Sequence, residues 1–505
     1  GRDAYAGDMS RRGWFGLPGP VGSRFAPQVR EGIVLSGGGA RASFQIGALR
    51  YLYEVVGIHP TVMVGTSAGA ILVAMLAQHG DAEGQAAGVL ELEQLWLSME
   101  TQADMFTERP WYSVLRSRGA EWASIVRPDA RVTREFTLPK LPFPFGRTES
   151  AGSPDDPDDP LDGTLDPQAE TLAIAQREPA IDASEWTPAM VMQIVSALPR
   201  LGRAGGDLAA IVRGAERTGS MYRPGPLIEQ LLAGGAYQSS RVESSGLEVR
   251  IGFVALESGD LRFMRQDGRI VDRDDVPIAG STHDFSRGVL ASCSIPGVFA
   301  PVRMDDEHYV DGGLRENLPA EMAIGPLGVD KAWVIASAPP GVPRAESFAG
   351  KSMLSLALRS IEILSDEGER DEVAYARSAG AVVIQPEVPV HDPLTIDPGL
   401  IRINLDYGWM RAAEEHLSAL ASEQTLHQEI VRLRVRAWEL ERLVLDPASH
   451  TEADLVALTR TKYELRDRVA RTREGILPAG ASAWWERFEG HPGGVDIPPP
   501  WLAQP

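Results

Sequence analysis

The amino-acid sequence predicts an α/β fold built on a central, mostly parallel sheet. Two consecutive units of apolar run, glycine turn and helical pattern occupy residues 33–57 and 61–80. Such repetition is typical of parallel strands with helices on the faces of the sheet. The later runs "KAWVIASAP" and "AVVIQPEV" indicate further core strands, and two alternating runs around "ESGD" predict a β-hairpin.

The first unit begins with the apolar run of Ile33, Val34 and Leu35, which ends at three glycines. From Ala42 onward apolar residues recur at helical spacing, and Gly57 is a suitable helix stop. The second unit has "TVMV" as its strand, "GTSAG" as its turn and the apolar run that follows as its helix. Together the two units predict neighbouring parallel strands.

Composition divides the chain into four regions. Residues 1–29 are rich in Gly, Pro and Arg and look irregular. Residues 95–245 combine a Pro-, Asp- and Gly-rich stretch, typical of a solvated loop, with apolar patches. We expect an inserted, partly helical cap with a flexible acidic loop there, the alternative being a tolerated surface insertion. Residues 30–94 and 246–400 then form the main α/β domain, and residues 401–505 form a C-terminal helical hairpin and tail.

The hairpin prediction depends on periodicity. Apolar positions step by three and four residues in two stretches, 430–444 and 455–469. Thr451 and Asp454 form a suitable N-terminal cap for the second helix. We expect the hairpin to pack on its own domain. The alternative is a contact between protein chains, such as a homo-oligomer formed through these helices.

The net charge of −21 limits the partners of the protein. So negative a surface repels phosphate backbones, which argues against nucleic acid. It gives no general attraction to anionic lipid, although a local apolar patch still allows peripheral membrane contact. The longest apolar run, "TVMVGTSAGAILVAMLA", is interrupted by glycines and serine and is short for a membrane span.

The single cysteine, Cys293, rules out an internal disulfide and a cysteine-based zinc site. This cysteine usage fits a reducing compartment. No apolar signal-peptide core is visible in the first 20 residues. We therefore expect a cytoplasmic protein with peripheral membrane contact.

The stretch "GTSAG", Gly65 to Gly69, places one hydroxyl between a strand-like run and a helix-like run. In a strand–turn–helix unit the G-x-S-x-G pattern sets its serine, here Ser67, on a strained elbow whose small neighbours let substrate approach. The N–H groups at the start of the following helix favour developing negative charge. Ser67 is therefore the candidate nucleophile.

The stretch "SGGGARA", Ser36 to Ala42, has three interpretations: a turn before a helix, a dinucleotide-binding loop, or a nest of N–H donors for an oxyanion. The dinucleotide fingerprint tolerates Ala42, but the acidic residue that would hold ribose about 20 positions later is missing. We favour the oxyanion nest, formed by Gly37, Gly38 and Gly39, because glycines leave backbone donors unobstructed.

A serine hydroxyl needs a base, and the usual base is histidine. None of the nine histidines lies in a motif that indicates catalysis. In "YVDGGLRENLP", Asp311 follows an apolar pair and precedes two glycines, a pattern that taken alone indicates a turn. His308 lies three residues away along a strand and points to the opposite face. Asp311 is therefore the better candidate base.

Four stretches in this order, "GIVLSGGGARASFQIGAL", "VGTSAG", "ASCSIPGVFAPV" and "YVDGGLRENLP", resemble the patatin-like phospholipase family. The resemblance covers residues 31–80 and about 247–340. It implies a three-layer α/β fold with a Ser–Asp dyad in place of a triad. Ser67 and Asp311 would form the dyad, and the glycine loop followed by Arg41 would form the oxyanion hole.

The resemblance also implies a function. The protein is expected to hydrolyse acyl esters of lipids, as a phospholipase A or lysophospholipase, through an acyl-enzyme and without a cofactor or metal. Four glycines would support the elbow and the aspartate turn: Gly65, Gly69, Gly312 and Gly313. One departure is Ala42, where the loop of the family commonly ends in glycine.

Three alternatives stay open. An α/β-hydrolase triad would combine Ser67 and Asp311 with a later histidine such as His391. An acyltransferase would use the same acyl-enzyme with a different acceptor. A catalytically silent interaction protein would act through the helical hairpin, although all the catalytic residue types are present.

Overall fold

The computed structural model of the chain describes residues 29–110, 112–113, 220–225, 237–342, 344, 347, 353–446, 451–481 and 487–489. Nearly all of the predicted irregular N-terminal segment and most of the predicted cap, with its acidic loop, lie outside these residues. The α/β core and the C-terminal helices lie within them.

The described strands form a central, mostly parallel sheet, as predicted. They are β1 (Glu31–Leu35), β2 (Val62–Thr66), β3 (Phe106–Glu108), β4 (Tyr222–Pro224), β5 (Glu248–Ala255), β6 (Leu261–Arg265), β7 (Ile270–Val271), β8 (Val302–Met304), β9 (Glu307–Asp311), β10 (Lys331–Ile335) and β11 (Val382–Ile384). Strands β11, β10, β1, β2 and β5 lie side by side in this order and are parallel. Strands β6 to β9 extend this sheet with antiparallel pairs, and β3 pairs with β4 in a small separate sheet.

Helices cover both faces of the sheet. They are α1 (Ala42–Tyr51), α2 (Ala68–Leu76), α3 (Ala82–Leu97), α4 (Gln102–Met105), α5 (Ser239–Ser244), α6 (Phe285–Ser292), α7 (Ala320–Ile324), α8 (Met353–Ser378), α9 (Pro398–His416), α10 (Ala421–Leu445) and α11 (Glu452–Ala470). Ile33 and Leu35 of β1 pack in a core with α1, α2 and α9, whereas Val34 packs in a core with α7 and α8. Alternate residues of one strand thus enter two cores, which confirms the three layers.

Strand β5 aligns the ends of β2 and β9. Thr66, the last residue of β2, is paired with Gly252 of β5, and Asp311, the last residue of β9, is paired with Phe253. Because β2 is parallel to β5 and β9 is antiparallel to it, β2 and β9 meet end to end. The residue after β2, which is Ser67, therefore meets the last residue of β9.

Helix α9 packs very closely on α1. A Cβ on Gly47 would lie 1.8 Å from the carbonyl oxygen of Leu405, and a Cβ on Gly408 would lie 1.9 Å from that of Phe44. Only glycine lets two helix backbones approach this far. The contact fixes α1, and with it the glycine loop that precedes α1, against the C-terminal part of the protein.

Helices α10 and α11 form the predicted C-terminal hairpin. The predicted cap is present, because the Thr451 side chain accepts the Asp454 N–H and the Asp454 carboxylate accepts the Thr451 N–H. Residues 487–489 lie against this hairpin, and the Glu489 carboxylate receives two hydrogen bonds from Arg434, at 2.9 and 2.8 Å. A homo-oligomer formed through the hairpin stays a prediction.

Candidate active site

Ser67 lies on a sharp turn between β2 and α2. Its φ of 53° is in the left-handed region, which a residue with a side chain rarely adopts. Two glycines make this turn possible. A Cβ on Gly65 would lie 2.7 Å from the carbonyl oxygen of Gly69, and a Cβ on Gly69 would lie 2.5 Å from that of Leu35. Because strain of this kind costs about 1–3 kcal/mol, its presence at the candidate nucleophile indicates a functional constraint.

Ser292, the last residue of α6, holds the elbow in place. Its Oγ accepts the Ser67 N–H at 2.8 Å and donates to the Gly252 carbonyl at 2.6 Å. The neighbouring Cys293 places its Sγ 3.1 Å from the Ser67 carbonyl oxygen. Sequence reasoning used the surrounding stretch "ASCSIPGVFAPV" for the resemblance but gave Ser292 no role. The only local signal was that Ser292 is a small polar residue within that stretch.

Asp311 meets Ser67 from the end of β9. The Ser67 hydroxyl is hydrogen-bonded to the Asp311 carboxyl, and the Gly313 N–H donates to Asp311 Oδ1 at 2.8 Å. Burial raises the pKa of Asp311 to about 6, against the opposing effect of these two hydrogen bonds. Gly312 is also sterically required, since its Cβ would lie 2.6 Å from the Gly252 carbonyl oxygen. The fold thus places a carboxyl that can gain and lose a proton near neutral pH on the serine hydroxyl.

The glycine loop passes beside the elbow, since a Cβ on Gly37 would lie 2.9 Å from the Ser67 Cβ. The Gly37 N–H donates to the Asn317 carbonyl at 3.1 Å, so it is not free to bind an oxyanion. The prediction that all three glycines supply oxyanion donors stays untested, and in this conformation the Gly37 donor is occupied. Within the described part of the chain, the N–H groups of Gly38 and Gly39 have no hydrogen-bond acceptor. They are the donors of the loop that remain available.

The loop is anchored on two further sides. The Ala40 N–H donates to the Pro393 carbonyl at 2.8 Å. The Ser337 hydroxyl donates to the Gly37 carbonyl, and the Ser337 N–H donates to Ser36 Oγ at 2.9 Å. The loop is therefore held by residues from both the sheet and the C-terminal part, and its free donors are fixed in position before substrate arrives.

Arg41 lies next to this loop and is largely buried. Burial lowers the pKa of its guanidinium, whereas the charges of Glu369 and Asp392 raise it. Among the described residues, the Arg41 Nε has no hydrogen-bond partner. The described contacts do not join Arg41 to Ser67, so its role in the oxyanion hole stays a prediction.

His391 is not joined to the dyad. Its Nδ1 lies 3.0 Å from the Asp392 carbonyl oxygen, and burial lowers the pKa of its imidazole to about 4. No hydrogen bond of the described residues links it to Ser67 or Asp311. Cys293 is likewise unsuited to nucleophilic attack, because burial and the Asp311 charge raise the pKa of its thiol. Among the residues that the structure describes, no group of three or more His, Cys, Asp or Glu side chains could hold a metal ion.

The two ends of the predicted cap are anchored near the site. Strands β3 and β4 bracket the insertion, and Arg109 donates from Nε to Ser220 Oγ at 2.8 Å. The Met221 N–H donates to the Gly297 carbonyl at 3.0 Å, just after the residues that support the elbow. The chain therefore leaves and re-enters the core beside the candidate active site, while the cap itself stays a prediction.

Comparison with known families agrees with this geometry. A family model described as patatin-like phospholipase matches residues 33–324, which is more than half of the chain. The protein is thus a lipid ester hydrolase of the α/β class. The chain belongs to the patatin-like phospholipase family. Among curated proteins, no sequence matches the chain.

Solved structures that match this chain include two effector proteins. VipD from Legionella pneumophila is 13% identical, with 92% of this chain and 91% of that chain covered at a TM-score of 0.28. The type III effector protein ExoU is 14% identical, with 91% and 72% covered at a TM-score of 0.23. The ExoU–SpcU complex of Pseudomonas aeruginosa is 15% identical, with 91% and 68% covered and the same TM-score. The family assignment rests on the family model that matches residues 33–324.

Proposed function

We propose that the protein is a phospholipase A or lysophospholipase that cleaves lipid acyl esters through a Ser67–Asp311 dyad and an acyl-enzyme. One observation carries the proposal: the Ser67 hydroxyl is hydrogen-bonded to a buried carboxyl whose pKa is raised to about 6. An aspartate with the ordinary pKa of about 3.9 would be a weak base near neutral pH. Burial brings the pKa of Asp311 into the useful range and removes the need for a histidine.

Acylation needs a base, a nucleophile and an oxyanion site. Asp311 accepts the proton of Ser67 while Oγ attacks the carbonyl carbon of the ester. The N–H groups of Gly38 and Gly39 donate to the oxyanion, and the N-terminus of α2 adds a favourable dipole. When the tetrahedral intermediate collapses, the bond to the leaving alcohol breaks. Asp311 returns the proton to that alcohol, and the acyl group stays on Ser67.

Deacylation repeats these steps with water. Asp311 takes a proton from the water, whose oxygen attacks the acyl carbon, and the same oxyanion site binds the second intermediate. Its collapse breaks the bond to Ser67 Oγ, which recovers the proton from Asp311, and a free fatty acid leaves. An acyltransferase would differ only in the acceptor, and the family match favours hydrolysis.

The first experiment combines fluorophosphonate labelling with turnover of a mid-chain nitrophenyl ester. We expect Ser67→Ala and Asp311→Asn each to lower kcat/KM by about 10³-fold or more, and Ser67→Ala to abolish labelling. Two exposed residues provide matched controls, Ser258→Ala in the β5–β6 turn and Asp306→Asn in the β8–β9 turn. A Ser67→Ala protein that keeps turnover would refute the acyl-enzyme. An Asp311→Asn protein that stays active, together with a His391 variant that does not, would favour the α/β-hydrolase triad.

Product analysis then tests the substrate class. Phosphatidylcholine and lysophosphatidylcholine with labelled acyl chains should each release free fatty acid in a Ser67-dependent reaction. Release from neither lipid would contradict the phospholipase assignment. Transfer of the label to an added alcohol or lysolipid, without free acid, would support the acyltransferase.

We also infer peripheral contact with a membrane, made by α8. Leu356, Ile363 and Leu364 are 47%, 50% and 72% exposed and are spaced seven and eight residues apart, on one helix face. Among the described helices, none is long and apolar enough to cross a bilayer. Leu364→Glu should reduce sedimentation with phosphatidylcholine vesicles, whereas the equally exposed control Leu420→Glu should not. Equal sedimentation of both variants and the wild type would contradict this contact.

A further inference from the structure

Asn317 lies between the two loops of the candidate active site. Its carbonyl oxygen accepts the Gly37 N–H at 3.1 Å. Its side-chain Oδ1 fills the space beside both glycine turns, because it would lie 2.3 Å from a Cβ on Gly37 and 3.0 Å from a Cβ on Gly313. One residue therefore contacts the oxyanion loop on one side and the Asp311 turn on the other.

Helix α8 holds Asn317 with two carboxyl groups. Glu369 Oε2 accepts the Asn317 side-chain N–H at 2.7 Å. Glu372 Oε1 accepts the Asn317 backbone N–H at 3.2 Å, and its Oε2 accepts the Leu318 N–H at 2.7 Å. Glu369 and Glu372 are three residues apart and share one face of the helix. Asn317 is therefore fixed through both its backbone and its side chain.

Burial of these two carboxyl groups lowers the stability of the fold. Glu369 is buried, and its Oε1 has no hydrogen-bond partner among the described residues. Neither Glu369 nor Glu372 lies within ion-pair distance of a cation among the described residues. Burial raises the pKa of Glu369 and outweighs the opposing effect of the more distant Arg41 charge. A buried carboxyl group without a directly paired cation destabilises a protein unless its hydrogen bonds compensate. The hydrogen bonds that these two groups do make are directed at Asn317 and its neighbour, which points to a task at the active site.

We propose that Glu369 acts through Asn317 to position the oxyanion loop, so that the free N–H groups of Gly38 and Gly39 face the developing oxyanion. Glu369 and Asn317 are positioning residues in this proposal, since no described hydrogen bond joins either of them to Ser67 or Asp311. The proposal rests on the proposed function, because it assigns these residues to the same acyl-transfer site.

The physical reason is the freedom of the glycine loop. Three consecutive glycines adopt many backbone conformations, so the direction of their N–H groups depends on external anchors. An oxyanion donor acts mainly when it is fixed before the charge develops, and complete removal of one donor costs about 10²–10³-fold in kcat. Loss of an anchor leaves the donors present but less well directed. We therefore expect a smaller loss of about 10- to 100-fold.

The test compares two substitutions at one position. Glu369→Leu removes the acceptor for Asn317, whereas Glu369→Gln keeps an acceptor of the same shape. Glu367→Leu, an exposed position on the same helix, is the control. Three quantities are measured: kcat and KM on the nitrophenyl ester, the melting temperature, and amide hydrogen exchange of the peptide that covers residues 36–41.

Glu369→Leu should lower kcat about 10- to 100-fold with KM changed less than twofold, and it should speed amide exchange in residues 36–41. Glu369→Gln and Glu367→Leu should stay within about threefold of the wild type in kcat. Three results would overturn the proposal: an unchanged kcat in Glu369→Leu, an equal loss in Glu369→Gln and Glu369→Leu, or unchanged exchange in the loop. A purely structural role would lower the melting temperature without a selective loss of kcat.

Failure of the proposed function gives a different pattern. A Ser67→Ala protein that remains active refutes the dyad, whatever Glu369 does. A wild type whose turnover depends on Ser67, combined with a neutral Glu369→Leu, refutes only the positioning role. Should Glu369→Leu fail to fold, Asn317→Asp provides the second variant, because it keeps the shape but opposes Glu369 with a like charge. An Asn317→Asp protein whose kcat and amide exchange in residues 36–41 equal those of the wild type would then overturn the proposal.

Discussion

Two fully buried carboxyl groups in this protein have opposite surroundings. Glu489, against the C-terminal hairpin, receives two hydrogen bonds from the Arg434 guanidinium. Asp311, at the candidate active site, receives hydrogen bonds from a hydroxyl and a backbone N–H. Burial alone would raise the pKa of both, but the Arg434 charge holds the pKa of Glu489 below its usual value. Asp311 lacks a cation among its hydrogen-bond partners, and its pKa is raised to about 6.

A buried carboxyl group paired with a cation has a structural role, whereas a buried carboxyl group without a cation is suited to proton transfer. In the hairpin each buried ion has an opposite partner, as in the fully buried pair of Lys462 and Glu441 at 2.7 Å. Such ion pairs link the helices together. An uncompensated carboxyl group destabilises the fold but can exchange a proton, which is what a general base needs.

The largest expected change in stability comes from removing the cation of a buried ion pair. Arg434→Met removes the guanidinium that pairs with Glu489 and Asp406, and it leaves the buried Glu489 and the partly buried Asp406 without that cation. We expect a loss of about 3–5 kcal/mol in the free energy of unfolding, measured by urea titration. Arg460→Met, at an exposed pair with Glu464 in the same hairpin, is the control and should cost about 1 kcal/mol or less. Equal losses in the two variants would contradict the comparison.

The second prediction is a substitution that should raise the free energy of unfolding, in contrast to Arg434→Met. Because the pKa of Asp311 is raised in the folded state, the folded protein binds the proton more tightly than the unfolded chain does. Wild-type stability is therefore lost as the pH rises from about 4 through 6. Asp311→Asn lacks this loss and should be more stable than the wild type at pH 8, by up to about 3 kcal/mol. The two should have similar melting temperatures at pH 4, and a pH-independent difference would exclude this cause.

The third effect is kinetic and smaller. In the proposed mechanism Asp311 serves as the base only when it is deprotonated, so kcat/KM should rise about tenfold between pH 5 and pH 7, with an apparent pKa near 6. Burial also raises the pKa of Glu316, to about 7, five residues further along the chain. Glu316→Gln should therefore leave the apparent pKa of kcat/KM unchanged. A shifted apparent pKa in Glu316→Gln would show that the pH dependence of kcat/KM comes from Glu316 and not from Asp311.

Much of the fold follows from local patterns in the sequence. The repeated strand, glycine turn and helix predicted β1, α1, β2 and α2, and the periodic apolar residues predicted α10 and α11. Lys462 interrupts the predicted apolar stripe of α11, and the structure explains this by its ion pair with Glu441. Such elements are predictable because each one carries its own periodicity and its own caps.

The supports of the site were not predictable in the same way. Ser67 and Asp311 stood out by residue type, and the fold brings them together, while their catalytic role stays a prediction. Ser292, Asn317 and Glu369 gave no comparable signal, because the hydrogen bonds that connect them to the site join segments distant in the sequence. Residues 487–489 were predicted only as part of an extended tail. Their binding to Arg434 depends on tertiary packing that no local pattern reports.

The end-to-end meeting of β2 and β9 on β5 also determines when the site can exist during synthesis. Ser67 leaves the ribosome early, together with its elbow and the glycine loop. Its carboxyl partner arrives only after the whole insertion and β5 have been made, since Gly252 and Phe253 align the two strand ends. A nascent chain that ends before Asp311 therefore carries Ser67 without the carboxyl group that is proposed to activate it.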